Sequence, residues 1–307
     1  MSAATEERRV CVACRGPLQP KLASVRDPQS LQAFDIVRCA SCGLGHTMPV
    51  PADLGAYYGP AYYGKRHSFT DRYCLARRAR MLAGAVSAKG KLLDVGCGDG
   101  NFLQAAVNDG WIGTGTDIGG ALANARSRGL DVAGSIAEVQ DRGPFDAVTM
   151  WHTLEHFVDP KETLEQVRSV IAETGSLVVA VPDAAGLQAR LFRGSWFHLD
   201  VPRHLYHFSQ HALDALLDRA GFTVQRWHHQ ELELDVFGWL QSALNAILPS
   251  PNVLFQSLTG KPRHGGRGQL AASYALGTAM APAALAATAA GTLAGRGGTL
   301  VAIAAPR

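Results

Sequence analysis

From Lys91 to Pro182 the chain alternates short apolar runs with amphipathic stretches. The runs "KLLDVG", "WIGTGTD", "LDVAGS", "FDAVTMW" and "GSLVVAVP" are rich in branched and aromatic residues, and helical or loop segments separate them, so each predicts a strand. Strands alternating with helices predict an α/β fold built on an open parallel sheet with helices on both faces. "FTVQRWHHQ" predicts a sixth strand and "GTLVAIAAP" a final one, with about seventy residues between them that read as a helical insertion.

Helical periodicity marks the intervening segments. Leu75, Ala79, Leu82 and Val86 share one face of a helix expected from about Ser68 to Val86. Another is announced by Asp159 as N-cap, Pro160 at the first helical position and Glu162 completing a capping box. Leu164, Val167 and Ile171 supply its buried face. A third starts at Ser209, turns Leu213, Leu216 and Leu217 inward and stops at Gly221. Between the N-terminal segment and the first helix, "MPVPADLGAYYGPAYYG" is broken by proline and glycine and reads as linker. There is no internal repeat.

Composition adds little to this picture except through cysteine. Hydrophobic residues make up 47% and charged residues 18%, ordinary values for a globular chain. A net charge of +3 over 307 residues gives no electrostatic argument for nucleic acid. The opening "MSAATEERRV" has no apolar segment, so it is not read as a signal peptide and a cytoplasmic location is expected. Reducing compartments disfavour structural disulfides. Cys11-x-x-Cys14 and Cys39-x-x-Cys42, with about 24 residues between the pairs, instead have the knuckle spacing of a zinc ribbon. Four thiolates on one structural zinc ion would close a segment too small to fold alone. Leu270 to Ala294 carries no charge and is long enough to span a bilayer. Alanine dominates it and Pro282 interrupts it, so packing on the domain, peripheral membrane contact or a homodimer interface is expected instead. The expected organisation is a zinc ribbon at 1–50, a linker and lid helix at 51–90, a core at 91–235, and the insertion with the final strand at 236–307.

"LLDVGCGDGNFL" carries the sharpest chemical signal. A strand ends at Asp94, and Gly96, Gly98 and Gly100 follow before a helix begins near Asn101. Glycines there allow a tight turn and close approach of the backbone to a ligand. Asp94 and Asp99 flank the turn, which disfavours a pyrophosphate and favours a ligand with a positive end. The next strand ends at Asp117, where doubly wound folds place a carboxylate on ribose hydroxyls. A ribose-bearing cofactor with an amino-acid end and a sulfonium cation satisfies both carboxylates. That cofactor is S-adenosylmethionine.

Here the sequence resembles the class I S-adenosylmethionine-dependent methyltransferases from Lys91 to about Phe222, resuming in the last strand. The resemblance implies a Rossmann-like seven-stranded sheet whose last strand is antiparallel. It implies that Asp94, Gly96, Cys97, Gly98 and Gly100 form the cofactor loop. Asp117 would hold the ribose, Ile118 beside it would also contact the cofactor, and Ser135 and Ile136 would border the adenine. Trp151 and His152, after the fourth strand, would line the methyl end. With its CxxC pairs, tyrosine-rich linker, "LEHFVDP" and "PRHLYHFS", the chain is similar to bacterial methyltransferases of small molecules, sugars and lipid-linked metabolites. The Asn/Asp-Pro-Pro-aromatic motif of amine-methylating enzymes is replaced by "MWHT".

"HTLEHF" is similar to the "ExxEH" segment of ubiquinone-pathway O-methyltransferases, where acidic side chains and histidine sit near a divalent cation. His152 replaces the first acid, which weakens a magnesium reading. His152, Glu155 and His156 would suit a softer metal, or Glu155 and His156 would pair and lock the loop. "WFHLDVPRHLYHFS" adds His198, His204 and His207, and a helical segment would put His204 and His207 on one face. Neutral histidine suits removal of a hydroxyl proton near neutral pH, so His156, His204 and His207 are the candidate bases. Arg203 would hold an acidic group of the substrate or cap a carbonyl. Trp196 and the tyrosines at 57, 58, 62 and 63 fit lid, pocket wall or core equally well.

The expected function is O-methylation of a hydroxylated small molecule, sugar or lipid-linked metabolite. Two alternatives stand beside it. A zinc-ribbon RNA methyltransferase would need a basic stripe, and residues 1–50 have only a slight basic excess. An inactive cofactor-binding or scaffold protein would not need Asp94, Asp117 and the glycine turn intact.

Overall fold

The computed structural model describes residues 10–58 and 68–307. In chain order the elements begin with β1 (Leu18–Arg26), β2 (Ala33–Cys39), β3 (Gly45–Met48) and α1 (Ser68–Ala83). Next come β4 (Lys91–Val95), α2 (Asn101–Asn108), β5 (Ile112–Thr116), α3 (Gly119–Ser127), β6 (Val132–Ala133) and β7 (Phe145–Trp151). Then follow α4 (Pro160–Val170), β8 (Ile171–Pro182), α5 (Leu187–Phe192), β9 (Tyr206–His207), α6 (Gln210–Arg219) and β10 (Phe222–His228). The remainder is α7 (Leu232–Ile247), α8 (Val253–Thr259), α9 (Arg267–Leu293) and β11 (Thr299–Pro306). Tyr62 and Tyr63 lie outside the described residues.

The elements fall into two compact units. One takes Met1–Arg66, Pro182–Leu213 and His229–Leu300, and the other His67–Val181, Asp214–His228 and Val301–Arg307.

The second unit carries the sheet that the apolar runs predict, in the order β10-β11-β8-β7-β4-β5-β6. β4 pairs in parallel with β5 and β7, β5 with β6, and β7 with β8, while β10 and β11 are antiparallel. Parallel neighbours cannot be joined by a tight turn, which is why helices connect the strands. The central strands are apolar because both faces are covered. Leu82 of α1 and Phe102 and Ala106 of α2 pack on Leu92, Ala147, Val178 and Val301. A second cluster joins Leu103, Ala125, Cys97 and Val132. The start of α4 matches its sequence signal: Asp159 accepts the backbone N–H groups of Lys161 and Glu162, both at 3.0 Å. β8 differs from expectation, since it begins at Ile171, directly after α4, rather than near Gly175.

In the first unit, β1, β2, β3 and β9 form a small antiparallel sheet in that order. Pro182–Leu213 therefore groups with the N-terminal segment, because Tyr206 and His207 complete its sheet against His46 and Gly45. The insertion is helical, as its composition predicts. α9 packs along α7 and α8, and its buried residues, Ser273, Gly277, Ala284, Thr288 and Gly291, are all small. Among the described residues, α9 is the one helix long and apolar enough to cross a membrane by length and composition.

Candidate cofactor site and histidine clusters

β4 delivers its chain into a turn in which Gly96, Gly98 and Gly100 all have left-handed φ values of 73°, 61° and 77°. At Gly96 the requirement is doubled, because an added Cβ would lie 2.0 Å from Thr153 Oγ1. The turn is pinned to β5 by the N–H groups of Gly96 and Cys97, which donate to the Thr116 carbonyl at 2.8 and 3.0 Å. One residue on, Asp117 accepts two backbone N–H groups, from Gly98 on Oδ2 and from Ile118 on Oδ1, both at 2.7 Å. Burial pushes the Asp117 pKa up, against those two hydrogen bonds. Ile118 beside the half-buried Asp117 is exposed.

Asp94 is buried at the end of β4 and accepts a 2.6 Å hydrogen bond from Thr149 Oγ1 of β7. Burial pushes its pKa up to about 7; the Thr149 bond and the charge of Arg78 oppose this without cancelling it. Cys97 is buried too, and burial beside Asp94 and Asp117 raises its thiol far above the ordinary range, so it is no nucleophile. After β6, Ile136 is buried and Ser135 Oγ donates to Glu138 Oε1 at 3.2 Å.

β7 ends on Trp151, whose ring meets Phe102 edge-on at 5.5 Å and carries the Arg78 guanidinium 5.0 Å above it. Trp151 is buried, yet its indole Nε1 has no hydrogen-bond partner among the described residues. His152 adopts a positive φ of 53°, donates its N–H to the Ala180 carbonyl at 2.9 Å, and places Nδ1 3.7 Å from Glu155 Oε1. Glu155 is fully buried in the turn Leu154–His156, with a carboxylate oxygen within 4.8 Å of a His156 ring nitrogen. The turn thus brings Glu155 near both neighbouring imidazoles. Half-buried His156 is the candidate base that shares a unit with the glycine turn.

His204 and His207 lie in the first unit. The helix that would align them is not formed, because Tyr206 and His207 are strand residues paired with β3. Thr47 Oγ1 donates to the His204 carbonyl at 2.7 Å, so at 2.9 Å from the same hydroxyl His207 Nε2 is the donor. Burial, with His204, Lys21 and His46 nearby, holds His207 neutral, well below the ordinary histidine pKa. His204 Nδ1 is 2.9 Å from the His198 carbonyl. Arg203 is also bound internally. Its guanidinium donates to Asp200 at 2.6–3.1 Å and to Asp27 Oδ1 at 3.0 Å. Burial opposes its charge, and the two carboxylates outweigh that.

The four cysteines converge. Cys11 Sγ is 3.6 Å from Cys42 Sγ, Cys14 Sγ is 3.4 Å from Cys39 Sγ, and all four sulfurs lie within 4.8 Å of one another.

Three contributors to the site carry no clear signal in the sequence: Arg78, Thr149 and Thr153. Thr149 alone leaves a trace there, as the polar exception inside the apolar run "AVTMW".

A methyltransferase-domain family model matches residues 66–226. A ubiquinone biosynthesis O-methyltransferase of Caulobacter sp. (strain K31) is 32% identical over 126 residues, covering 38% of this chain and 50% of that protein. One from Vibrio campbellii (strain ATCC BAA-1116) is 30% identical over 95 residues, covering 28% and 40%. The chain thus spans about half the length of the curated relatives it matches. A solved structure of a SAM-dependent methyltransferase from Archaeoglobus fulgidus overlaps with a TM-score of 0.49 at 18% identity, covering 83% of this chain and 100% of that one.

Proposed function

The chain belongs to the methyltransferase-domain family, with an S-adenosylmethionine-dependent core, and from that premise we propose that it O-methylates a hydroxylated small molecule. The observation that carries the reading is the glycine turn locked onto Asp117 through the Gly98 N–H, beside an exposed Ile118.

The residues fit the cofactor. Asp117 would take the ribose hydroxyls on its remaining lone pairs, and Ile118, Ser135 and Ile136 would border the adenine. The turn from Asp94 through Gly96, Cys97 and Gly98 to Gly100 would receive the amino-acid end. Trp151, with an unanswered N–H, and His152 would stand at the methyl end. S-adenosylmethionine supplies a methyl group already activated by its sulfonium. The protein is left to align the acceptor, exclude water and take the acceptor's hydroxyl proton. Of the three histidines, His156 suits that last role best, since the hydrogen bond of His207 to Thr47 and its low pKa fit a positioning role. His204 remains the second candidate.

Cys11, Cys14, Cys39 and Cys42 would hold one structural zinc, as their converging sulfurs suggest. Ubiquinone-pathway relatives and the absent amine motif support a small, hydroxylated acceptor and a cytoplasmic setting. The test is transfer of a labelled methyl group from S-adenosylmethionine into fractionated bacterial extract, with mass spectrometry of the product. An O-methyl ether or ester supports the reading. Label only on carbon or nitrogen overturns it.

A further inference from the structure

Within its own unit, α9 is covered on one face. That face lies along α7 and α8, where an added Cβ at Gly277 would sit 3.2 Å from Leu254 of α8 and 4.0 Å from Leu244 of α7. Of an apolar 18-residue stretch inside the helix, 17% is buried. The opposite face shows Ala275, Ala279, Pro282, Ala286 and Leu293 to solvent. Tyr274, Leu276 and Leu285 are exposed along its flanks, Leu285 by 52%. From Gly268 to Gly295 the sequence holds no charged residue. A surface helix ordinarily turns charged residues to water, and one that is apolar all round is ordinarily buried.

The uncovered area has the size of an interface. With 27 residues, α9 is about 40 Å long, and the solvent half of a cylinder about 11 Å across has an area of about 700 Å². The largest apolar patch on a monomer is ordinarily about 300–600 Å². A stable interface takes about 800 Å² from each partner. The outward face of α9 therefore comes close to that requirement by itself. Ser257 of α8, whose hydroxyl is 3.4 Å from that of Tyr274, extends it at one edge.

The residues on and behind this face select its occupant. Arg267 and Arg296 stand exposed just at the two ends, so charge rims the patch and does not interrupt it. A bilayer is a poor cover. Spanning it would draw in α7, which carries Asp235, Gln241, Ser242 and Asn245. Lying in its surface calls for a basic polar face and bulky apolar anchors, and α9 offers mainly alanine methyl groups. Methyl groups give little to insertion but let another helix approach closely. A second copy of this chain brings an identical face, so one surface serves both partners around a two-fold axis.

We propose that the outward face of α9 is a homodimer interface, in which two copies pack these helices against each other across a two-fold axis. The interface goes beyond the methyl-transfer reading and does not rest on it.

The test is sedimentation velocity of the full chain from about 1 to about 100 µM, since interfaces of this size hold with micromolar or tighter constants. The wild type should reach twice the 32.6 kDa of one chain. Ala279→Glu and Ala286→Glu each put a carboxylate on the outward face, at exposed positions where glutamate sustains a helix. Each should raise the dissociation constant by about tenfold or more, because the added charge is buried only in the dimer. A cooperative thermal transition shows that a variant is folded, and if one fails to fold the other decides. A wild type that stays at 32.6 kDa throughout, or folded variants that dimerise as the wild type does, overturns the proposal. So does a monomeric wild type that floats with vesicles of phosphatidylglycerol and phosphatidylcholine while Ala286→Glu does not, which would assign the face to lipid.

Discussion

Replacing Asp94 by asparagine should change how stability depends on pH, in a predictable direction. Asparagine keeps the shape and can still accept the 2.6 Å bond from Thr149 Oγ1, but it never ionises. In the wild type, burial raises the carboxyl from the ordinary 3.8 to about 7. The folded state then binds more protons than the unfolded chain across that window, so stability falls as pH rises through it. Each pKa unit corresponds to about 1.4 kcal/mol, so the full window amounts to about 4 kcal/mol, and about 2.5 kcal/mol of it lies above pH ~5. Urea unfolding of both proteins from about pH 5 to about pH 8 should show Asp94→Asn gaining about 2.5 kcal/mol on the wild type. Asp183 and Asp235, which burial also raises, to about 6 and about 7, titrate in both proteins and cancel in the difference. A difference that stays flat across this range would refute the reasoning, because it would mean that burial does not dominate at Asp94. In the proposed function the carboxylate answers the positive end of the cofactor, and that is what offsets the cost of keeping it.

Other perturbations have separate readouts. Gly96→Ala sets a Cβ against Thr153 Oγ1 at a left-handed position, so it should lose about 1–3 kcal/mol in thermal unfolding together with cofactor binding; an unchanged protein would contradict the local geometry. Asp159→Ala removes the acceptor of two N–H groups and should cost about 1 kcal/mol in urea unfolding; an unchanged unfolding midpoint would contradict the cap. Metal analysis should find one zinc per chain, lost in Cys39→Ser, and chelation should lower the unfolding temperature; a metal-free chain of undiminished stability would rule structural zinc out.

The parts legible in the sequence were those whose signals are local or doubled. β4, β7 and β8 announce themselves because both faces are buried, and α4 because its cap is written within the four residues Asp159 to Glu162. The carboxylate after β5 follows from spacing alone. Long-range pairing was invisible. Asp27 and Arg203 are 176 residues apart in sequence, so Arg203 reads as a substrate ligand or a carbonyl cap until its two internal carboxylates are seen. His204 and His207 would share a face only if their segment were helical, and the edge of β3 draws Tyr206 and His207 into a strand instead. β8 starts without a turn signal, since α4 runs directly into it at Val170–Ile171 and positions 161–174 hold no glycine or proline. Arg78 looks like one of several surface charges on α1, and only the fold places it over Trp151.

The claim that the glycine turn and Asp117 form the cofactor site is tested most directly by calorimetric titration of S-adenosylhomocysteine into the wild type and Asp117→Asn. One equivalent should bind per wild-type chain. Binding should be weaker by about tenfold or more in the variant, as loss of charged hydrogen bonds at the ribose requires. No binding by the folded wild type, or equal affinity in both proteins, would contradict the claim.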